Sequence, residues 1–172
     1  RHWRECLGLA IKPSCLLCGA AAQAEMDLCS VCCTLLPRPG MAMGPGTAVA
    51  PGCVLQLAPL RYAWPVDLLV QELKFGGSWP VARIFGHLIA QSRRELPLPL
   101  PQLVIPVPLH PRRLSERGFN QAEHIARFAA EALGIALAPP LLQRRRNTAV
   151  QSRLNAAARR DNLHEAFQVD EH

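Results

Sequence analysis

The chain has 172 residues, which is enough for one ordinary domain and a small additional module. Hydrophobic residues make up 49% of it, yet no run approaches the ~20 uncharged apolar residues of a membrane-spanning helix, and the charged start is unlike a secretion signal. The formal net charge is +6, and 17 of the 19 basic residues are arginine, so the sequence favours anionic partners.

Seven cysteines without a secretion signal predict a reducing, cytoplasmic compartment and thiol chemistry other than disulfides. Cys15 and Cys18 form one C-x2-C turn, and Cys29 and Cys32 form a second. Two such turns present four thiolates, which complete the tetrahedral shell that zinc prefers. A site with four protein ligands is closed, so we expect a structural rather than a catalytic zinc. Cys33 is an alternative fourth ligand, and a metal-free cluster of buried cysteines is the alternative to zinc.

The composition divides the chain into three parts. The cysteine module covers residues 1–37, and a segment rich in proline and glycine follows at 38–52 and is typical of a linker. The remaining residues, 53–172, are predicted to form the main domain.

Two helices are expected near the start of that domain. The segment 54–62 alternates loosely and predicts one or two short strands, whereas residues 66–74 carry apolar side chains at helical spacing. Lys74 ends this helix, where it serves either as a helix C-terminal cation or as a phosphate contact. A second helix opens at Trp79 and is predicted to end near Leu96.

The stretch 104–122 is the predicted functional centre. An apolar run, 103–107, predicts a buried strand, and a loop with Arg112, Arg113 and Arg117 follows it. Asn120 then heads an amphipathic helix that stops at Gly134. Guanidinium groups and a helix N-terminus together favour an anion.

A second strand is predicted at Leu141–Leu142, which gives a strand–helix–strand unit with a parallel sheet. Ligands of open α/β sheets bind beyond the carboxyl ends of the strands, where the arginine loop falls. The following segment, 143–163, is polar, arginine-rich and poorly periodic, so we expect a functional or mobile loop, and residues 166–169 predict a returning strand.

Ten arginines lie between Arg112 and Arg160, against three acidic residues. A high-GC genome would favour arginine over lysine but would not cluster it. The clustering favours phosphate, pyrophosphate or nucleic acid as the partner. A solvated basic face is the alternative interpretation.

Several motifs together resemble the ComF family, the double-zinc-ribbon, phosphoribosyltransferase-like proteins that include GntX-type members. The resemblance covers nearly the whole chain and includes the four-cysteine module. The other motifs are Leu73-Lys74-Phe75-Gly76, Pro106-Val107-Pro108-Leu109, Arg113, Arg117-Gly118-Phe119-Asn120-Gln121-Ala122, Arg144-x-Arg146-x-Thr148-x2-Gln151-x2-Leu154, Arg159-x2-Asn162 and Ala166-Phe167.

This resemblance implies an α/β fold of the type I phosphoribosyltransferase kind, with a parallel sheet flanked by helices. It implies pyrophosphate binding at Arg112, Arg113, Arg117, Gly118, Asn120 and Gln121, where the ligand is phosphoribosyl pyrophosphate (PRPP) or pyrophosphate. It also implies a flexible closing loop with Arg144, Arg146, Thr148, Gln151, Arg159 and Asn162. The guanidinium groups of arginine stabilise pyrophosphate as a leaving group. A mobile loop that closes over the site excludes water from the reaction.

One departure from the family pattern concerns the loop that holds the ribose 5-phosphate. The resemblance implies an acidic pair followed by Thr-Thr-Gly, but no D-D-x-x-T-T-G pattern occurs in the 172 residues. We therefore expect a truncated chain or a member that has lost this half of the site, with Mg²⁺ joining PRPP only where the loop is present. No catalytic residue is predicted, and the chain as given is not expected to complete a phosphoribosyl transfer.

The expected role is DNA uptake or utilisation in competence, and the expected binding site for that role is phosphoribosyltransferase-like. The family's link to DNA implies single-stranded DNA as a further ligand and the DNA-uptake machinery or a helicase as partner. Two alternatives remain: an active, amidophosphoribosyltransferase-like transferase at full length, and a non-enzymatic, zinc-stapled adaptor.

Overall fold

The structure is a computed structural model, and it describes residues 13–39, 55–149 and 155–169. The predicted linker 38–52 lies mostly outside the described residues, as does Gln151 of the predicted closing loop. Cys6 and Cys53, the two cysteines apart from the C-x2-C turns and Cys33, also lie outside them. The division into residues 1–37, 38–52 and 53–172 stays a prediction.

The N-terminal module consists of two turns and one short helix. Ser14 and Ala21 form an antiparallel bridge around the first cysteine turn, and helix α1 (Ser30–Thr34) contains the end of the second turn. The side chain of Cys29 caps this helix by accepting a hydrogen bond from the Cys32 amide.

Two long helices follow, as the periodicity predicts. Helix α2 (Val66–Gly76) buries Val66, Leu69 and Leu73 on one face and ends at Gly77, whose φ of 62° is left-handed. Helix α3 (Trp79–Arg94) has proline in its first turn and ends two residues before the predicted Leu96. The strands predicted for 54–62 are wrong for the described part, because residues 55–62 are irregular with a few bends.

The predicted parallel sheet exists, but it is shorter and pairs differently. Strand β1 (Leu103–Val104) stops early because Pro106 and Pro108 lack the amide that a ladder requires. Its parallel partner is β2 (Ala136–Leu137), not the predicted Leu141–Leu142. The helix that precedes β2 ends at Gly134, so a connection of two residues is enough to bring the chain beside β1. Pro139 and Pro140 follow β2 and prevent it from continuing.

The predicted arginine loop is largely a helix, α4 (Pro111–Arg117). The His110 side chain caps it by accepting from the Arg112 amide at 3.2 Å, and Gly118 closes it with a left-handed φ of 79°. Pro111 at the first helical position and Gly118 after the last are both typical of helix ends. The density of charged side chains in this stretch led instead to the prediction of a loop.

Helix α5 (Gln121–Leu133) has the predicted bounds, with Asn120 as N-cap and Gly134 as C-cap. It packs mainly against α3 and also contacts β1 and β2, so the strand–helix–strand unit rests on the helical layer. The protein is therefore an α/β chain with a small parallel sheet and a cysteine module.

Part of the segment predicted to be a loop, 143–163, forms a strand and a helix. Strand β3 (Leu142–Arg144) pairs antiparallel with the predicted returning strand, β4 (Phe167–Val169), and helix α6 (Ala156–Leu163) lies between them. Asn155 caps α6 by accepting from the Ala158 amide at 2.9 Å. The strand predicted at Leu141–Leu142 overlaps β3 at Leu142, but β3 belongs to the antiparallel pair with β4 and not to the parallel sheet.

Candidate anion-binding cleft and metal centre

The four cysteines of the predicted zinc site converge. The Sγ atoms of Cys15, Cys18, Cys29 and Cys32 all lie within 4.8 Å of one another, and Cys18 and Cys29 are 3.6 Å apart. Zinc–sulfur bonds of about 2.3 Å in a tetrahedron place the sulfurs about 3.8 Å apart. The donor set therefore fits zinc, and Cys32 rather than Cys33 belongs to the cluster.

The local backbone favours the thiolate form of Cys15 within this cluster. Burial raises the pKa of Cys15, but hydrogen bonds from the backbone at Cys29, Cys18 and Leu17 outweigh it and bring the pKa to about 6. The neighbouring Cys18 side chain raises the pKa of Cys32. Like charges at this distance repel one another, and a divalent cation at the centre removes that repulsion.

Helix α4 and the start of α5 position the basic side chains. Arg113 and Arg117 are four residues apart and so lie on one face of α4. The Asn120 amide group donates to the Val107 carbonyl at 3.1 Å and accepts from the Ala122 amide at 3.1 Å. Asn120 is buried and fixes the start of α5 against the segment that follows β1, so it positions the site through the backbone.

Arg113 and Arg117 line a cleft of about 180 Å³. Arg113 and Arg117 enter it from α4, and Arg144 enters from the end of β3, more than twenty-five residues further along the chain. The remaining lining residues are Leu109, His110, Asn147, Thr148 and Ala149. Three guanidinium groups thus meet where the chain leaves β1.

Mutual repulsion and burial act on these cations. Burial lowers the pKa of Arg117, and the charge of Arg113 lowers it further; the same two causes, in the same order, lower the pKa of Arg144. Arg113 contacts Glu116 at 3.6 Å, whereas neither Arg117 nor Arg144 has an ion pair within residues 13–39, 55–149 and 155–169. The cleft therefore holds excess positive charge that an anion would neutralise.

The predicted closing segment contributes two further features. Arg144 donates to the Thr148 hydroxyl and lies over the Phe167 ring at 5.5 Å. Asn162 accepts from the Ala149 amide at 3.0 Å and donates to its carbonyl at 2.9 Å. This double hydrogen bond ties α6 to Ala149, which lines the cleft.

Other predicted site residues lie elsewhere. Arg112 is exposed and does not line the cleft, and Arg146 donates to the His164 carbonyl. Lys74 lines two neighbouring cavities, and Gly118 supplies the left-handed end of α4. The side chain of Arg159 lies outside the described part of the chain, as does Gln151.

An apolar cavity of about 520 Å³ adjoins the cleft, and both Gln121 and Arg144 line it. Gln121 Oε1 accepts from Arg117 at 3.0 Å. Gln121 Nε2 and Arg144 Nε are buried donors without a partner among the described residues. Two such donors at the edge of a cationic cleft are suited to a ligand with acceptor oxygens.

Sequence analysis missed His110, which lines the cleft and caps α4. The available signal was its place directly before Pro111, since a polar residue before proline is typical of a helix start. The sequence also did not show that Arg144 meets Arg113 and Arg117.

Comparison with known proteins gives relatives over most of the chain. The "DNA utilization protein YhgH" of Salmonella typhi is 32% identical over 160 residues, which cover 91% of this chain and 70% of that protein. The protein of the same name from Escherichia coli O157:H7 is 31% identical over the same shares. "Competence protein F" of Haemophilus influenzae is 32% identical over 113 residues, covering 63% of this chain and 49% of that protein. No family model matches the chain, and no solved structure matches it.

The fold and the two sites define an α/β protein with a four-cysteine cluster that fits a metal ion and with a cationic cleft. Together with these relatives they show that the chain belongs to the ComF family. Among the described helices, none has the length and apolar character needed to cross a membrane.

Proposed function

We propose that the cleft between α4 and β3 binds pyrophosphate or the pyrophosphate group of PRPP, and that the protein acts in DNA uptake or utilisation. The convergence of Arg113, Arg117 and Arg144 on one cleft carries the proposal. A pyrophosphate group has several acceptor oxygens and multiple charges, which match three guanidinium forks better than a single carboxylate would.

The surroundings of the cleft support an oxyanion in particular. Thr148 offers a hydroxyl beside Arg144, and Gln121 and Arg144 each have a buried donor without a partner in the described part of the chain. The cleft lining begins at Leu109, in the segment that follows the carboxyl end of β1, and α/β proteins bind ligands in this region. This arrangement agrees with the type I phosphoribosyltransferase likeness of the motifs.

The names of the relatives support the biological role, since they are DNA utilization and competence proteins. Single-stranded DNA and components of the uptake machinery are proposed partners on that ground. The four-cysteine cluster is proposed to bind one structural zinc ion, because its sulfur spacing fits a tetrahedral shell.

Calorimetric titration with inorganic pyrophosphate, and separately with PRPP, tests the proposal with and without Mg²⁺. We expect saturable binding that Arg117→Ala weakens at least about tenfold, because a hydrogen bond to a charged group contributes about 1.5–3 kcal/mol. Circular dichroism of the variant checks that α4 and α5 remain folded.

Arg127→Ala is the matched control, because it removes the same charge from a neighbouring surface. Arg127 lies on α5, is 55% exposed and contacts Glu123 at 3.6 Å. It should leave pyrophosphate affinity unchanged. Equal losses for the two variants would show general charge attraction and contradict a specific site.

A further inference from the structure

The chain has only nine aromatic residues, but several of them meet beside the basic helix α4. Phe75 lies in the last turn of α2, Trp79 opens α3, and Phe119 lies between α4 and α5. These segments are separated in sequence, so the tertiary structure creates the cluster.

Two of these rings, Trp79 and Phe119, form a stacked column with His124 between them. His124 stacks on Trp79 with centroids 4.0 Å apart and planes 19° apart, and Phe119 stacks on His124 at 5.4 Å and 20°. Phe119 also lies against Gly77, where an added Cβ would come within 3.1 Å of its Cε1 atom. The Phe119 ring is thus held from two sides and forms a rigid wall.

This wall borders a second cleft, which has a volume of about 280 Å³. Its lining consists of two aromatic rings, three basic side chains and one acidic side chain: Phe75, Phe119, Lys74, Arg113, Arg117 and Glu116. Glu116 contacts Arg113 at 3.6 Å on the surface, which leaves the basic side chains in excess. A volume just below the range of drug-sized ligand sites suits one planar ring system.

We infer that this aromatic cleft binds the base of a nucleotide unit, with the base against Phe75 and the adjoining phosphate at Lys74 and Arg117. Aromatic faces accept any nucleobase by stacking, and neighbouring cations neutralise the backbone. An aliphatic ligand would bury apolar surface against the rings but would not stack on them, and a ligand without an anion would leave the basic residues unused.

Phe75 is the ring best placed to meet a ligand. It is 81% exposed, compared with 47% for Trp79, although an ordinary phenylalanine gains stability by burial. Single exposed apolar residues are common, so exposure alone would say little. Here the exposed ring lines the same cleft as three cations and a fixed second ring. A phenylalanine side chain has two torsions, so little conformational entropy is lost on binding.

This inference deepens the proposed function, since the two clefts share Arg113 and Arg117. The base-binding part does not depend on Arg144 or Thr148, which, of the two clefts, line only the one proposed for pyrophosphate. The two ideas can therefore fail separately. Pyrophosphate lacks a base, so its binding does not report on the Phe75 ring.

Binding of three probes by the full chain tests the inference: a short oligothymidylate, an abasic oligomer of equal length, and thymidine monophosphate. We expect Phe75→Leu to weaken oligothymidylate binding about five- to tenfold, the lower part of the range for base stacking. It should leave the affinities for the abasic oligomer and pyrophosphate unchanged. Phe75→Tyr, which keeps the ring, should restore the affinity.

Leu68→Ala provides the matched control, because Leu68 is also an exposed apolar residue of α2, at 50% exposure. This change should affect none of the probes. A loss with Phe75→Leu for thymidine monophosphate but not for the oligomer also supports the site and identifies a free nucleotide as its ligand. Equal affinities of wild type and Phe75→Leu for both thymidine probes would overturn the inference, as would an equal loss for the abasic oligomer.

Discussion

His124 shows how one side chain couples packing to protonation. Its ring lies between Trp79 and Phe119, and its Nδ1 atom is buried without a partner in the described residues. Burial lowers the pKa of His124; the charge of Glu123 acts in the opposite direction, and that of Arg127 lowers it again. The folded state therefore prefers the neutral ring.

We expect the free energy of unfolding to fall as the pH drops below about 6.5, the ordinary histidine value. Below that pH the unfolded chain binds a proton at His124 more readily than the folded chain does. Above it both states are neutral, and the contribution vanishes. Urea unfolding between about pH 8 and about pH 5, compared between wild type and His124→Phe, measures this slope.

The variant His124→Phe keeps a stacking ring but cannot be protonated, so its stability should depend less on pH. His164→Gln is the control, because this side chain is 75% exposed. If His124→Phe and wild type lose stability in parallel as the pH falls, His124 does not carry the dependence.

At the scale of elements, the contact between α3 and α5 depends on the absence of one side chain. An added Cβ at Gly86 would lie 2.5 Å from Phe128 Cβ, 2.8 Å from the Ala129 nitrogen and 2.9 Å from the Ile125 oxygen. Two of these neighbours are backbone atoms of α5, which cannot turn aside as a flexible side chain does. Gly86 therefore sets the separation of α3 and α5.

Gly86→Ala should destabilise the protein by about 2–3 kcal/mol, since overpacking of a close contact costs more than alanine's helix propensity returns. Chemical denaturation measures the change. Gly76→Ala is the matched control: it is also helical, and its nearest contact would be Glu72 Cγ at 3.8 Å. The free energy of unfolding of that variant should not fall, and it should rise by at most about 1 kcal/mol. Similar effects at both positions would contradict a special role for Gly86.

The strands show which elements the sequence could and could not predict. Helices α2, α3 and α5 follow from periodicity and from caps such as Asn120 and Gly134, which act within a few residues. The parallel partner of β1 was predicted wrongly, because a two-residue strand carries almost no pattern of its own. Its choice of partner depends on how α5 packs.

Across the whole molecule, the cysteine module and the helices share one hydrophobic core. Cys15, Leu28 and Leu36 of the module belong to the same buried cluster as side chains of α2 and α3. The guanidinium group of Arg83 on α3 also binds both carboxylate oxygens of Asp27, with Nε 2.7 Å from Oδ2. Asp27 is buried, so this ion pair joins the two parts through a desolvated contact.

Removal of the metal should therefore destabilise more than the small module. We expect a chelator, under reducing conditions, to lower the melting temperature of the helical signal as well, because the two parts share a core. Thermal melts followed by far-ultraviolet circular dichroism measure this. An unchanged helical transition in metal-free protein would show that the module folds independently.

The metal ligands themselves are tested by substitution. Cys32→Ser should lose zinc, whereas Cys33→Ser, the neighbouring control outside the cluster, should retain one zinc per chain in native mass spectrometry. The opposite result would make Cys33 the fourth ligand.

The sequence by itself determined the features that depend on neighbours along the chain. The C-x2-C spacing fixed the cysteine pairs, and the cap residues fixed α5, because these interactions span only a few residues. It also predicted an anion site in the arginine-rich stretch, from the clustered charge and the helix N-terminus, without the geometry of that site.

Only the tertiary structure decided which distant groups meet. Arg144 joins Arg113 and Arg117 because the chain returns through β3, and the column of Trp79, His124 and Phe119 exists because α3 packs on α5. Side-chain packing between separate elements sets such contacts, and a single sequence carries no local signal for it.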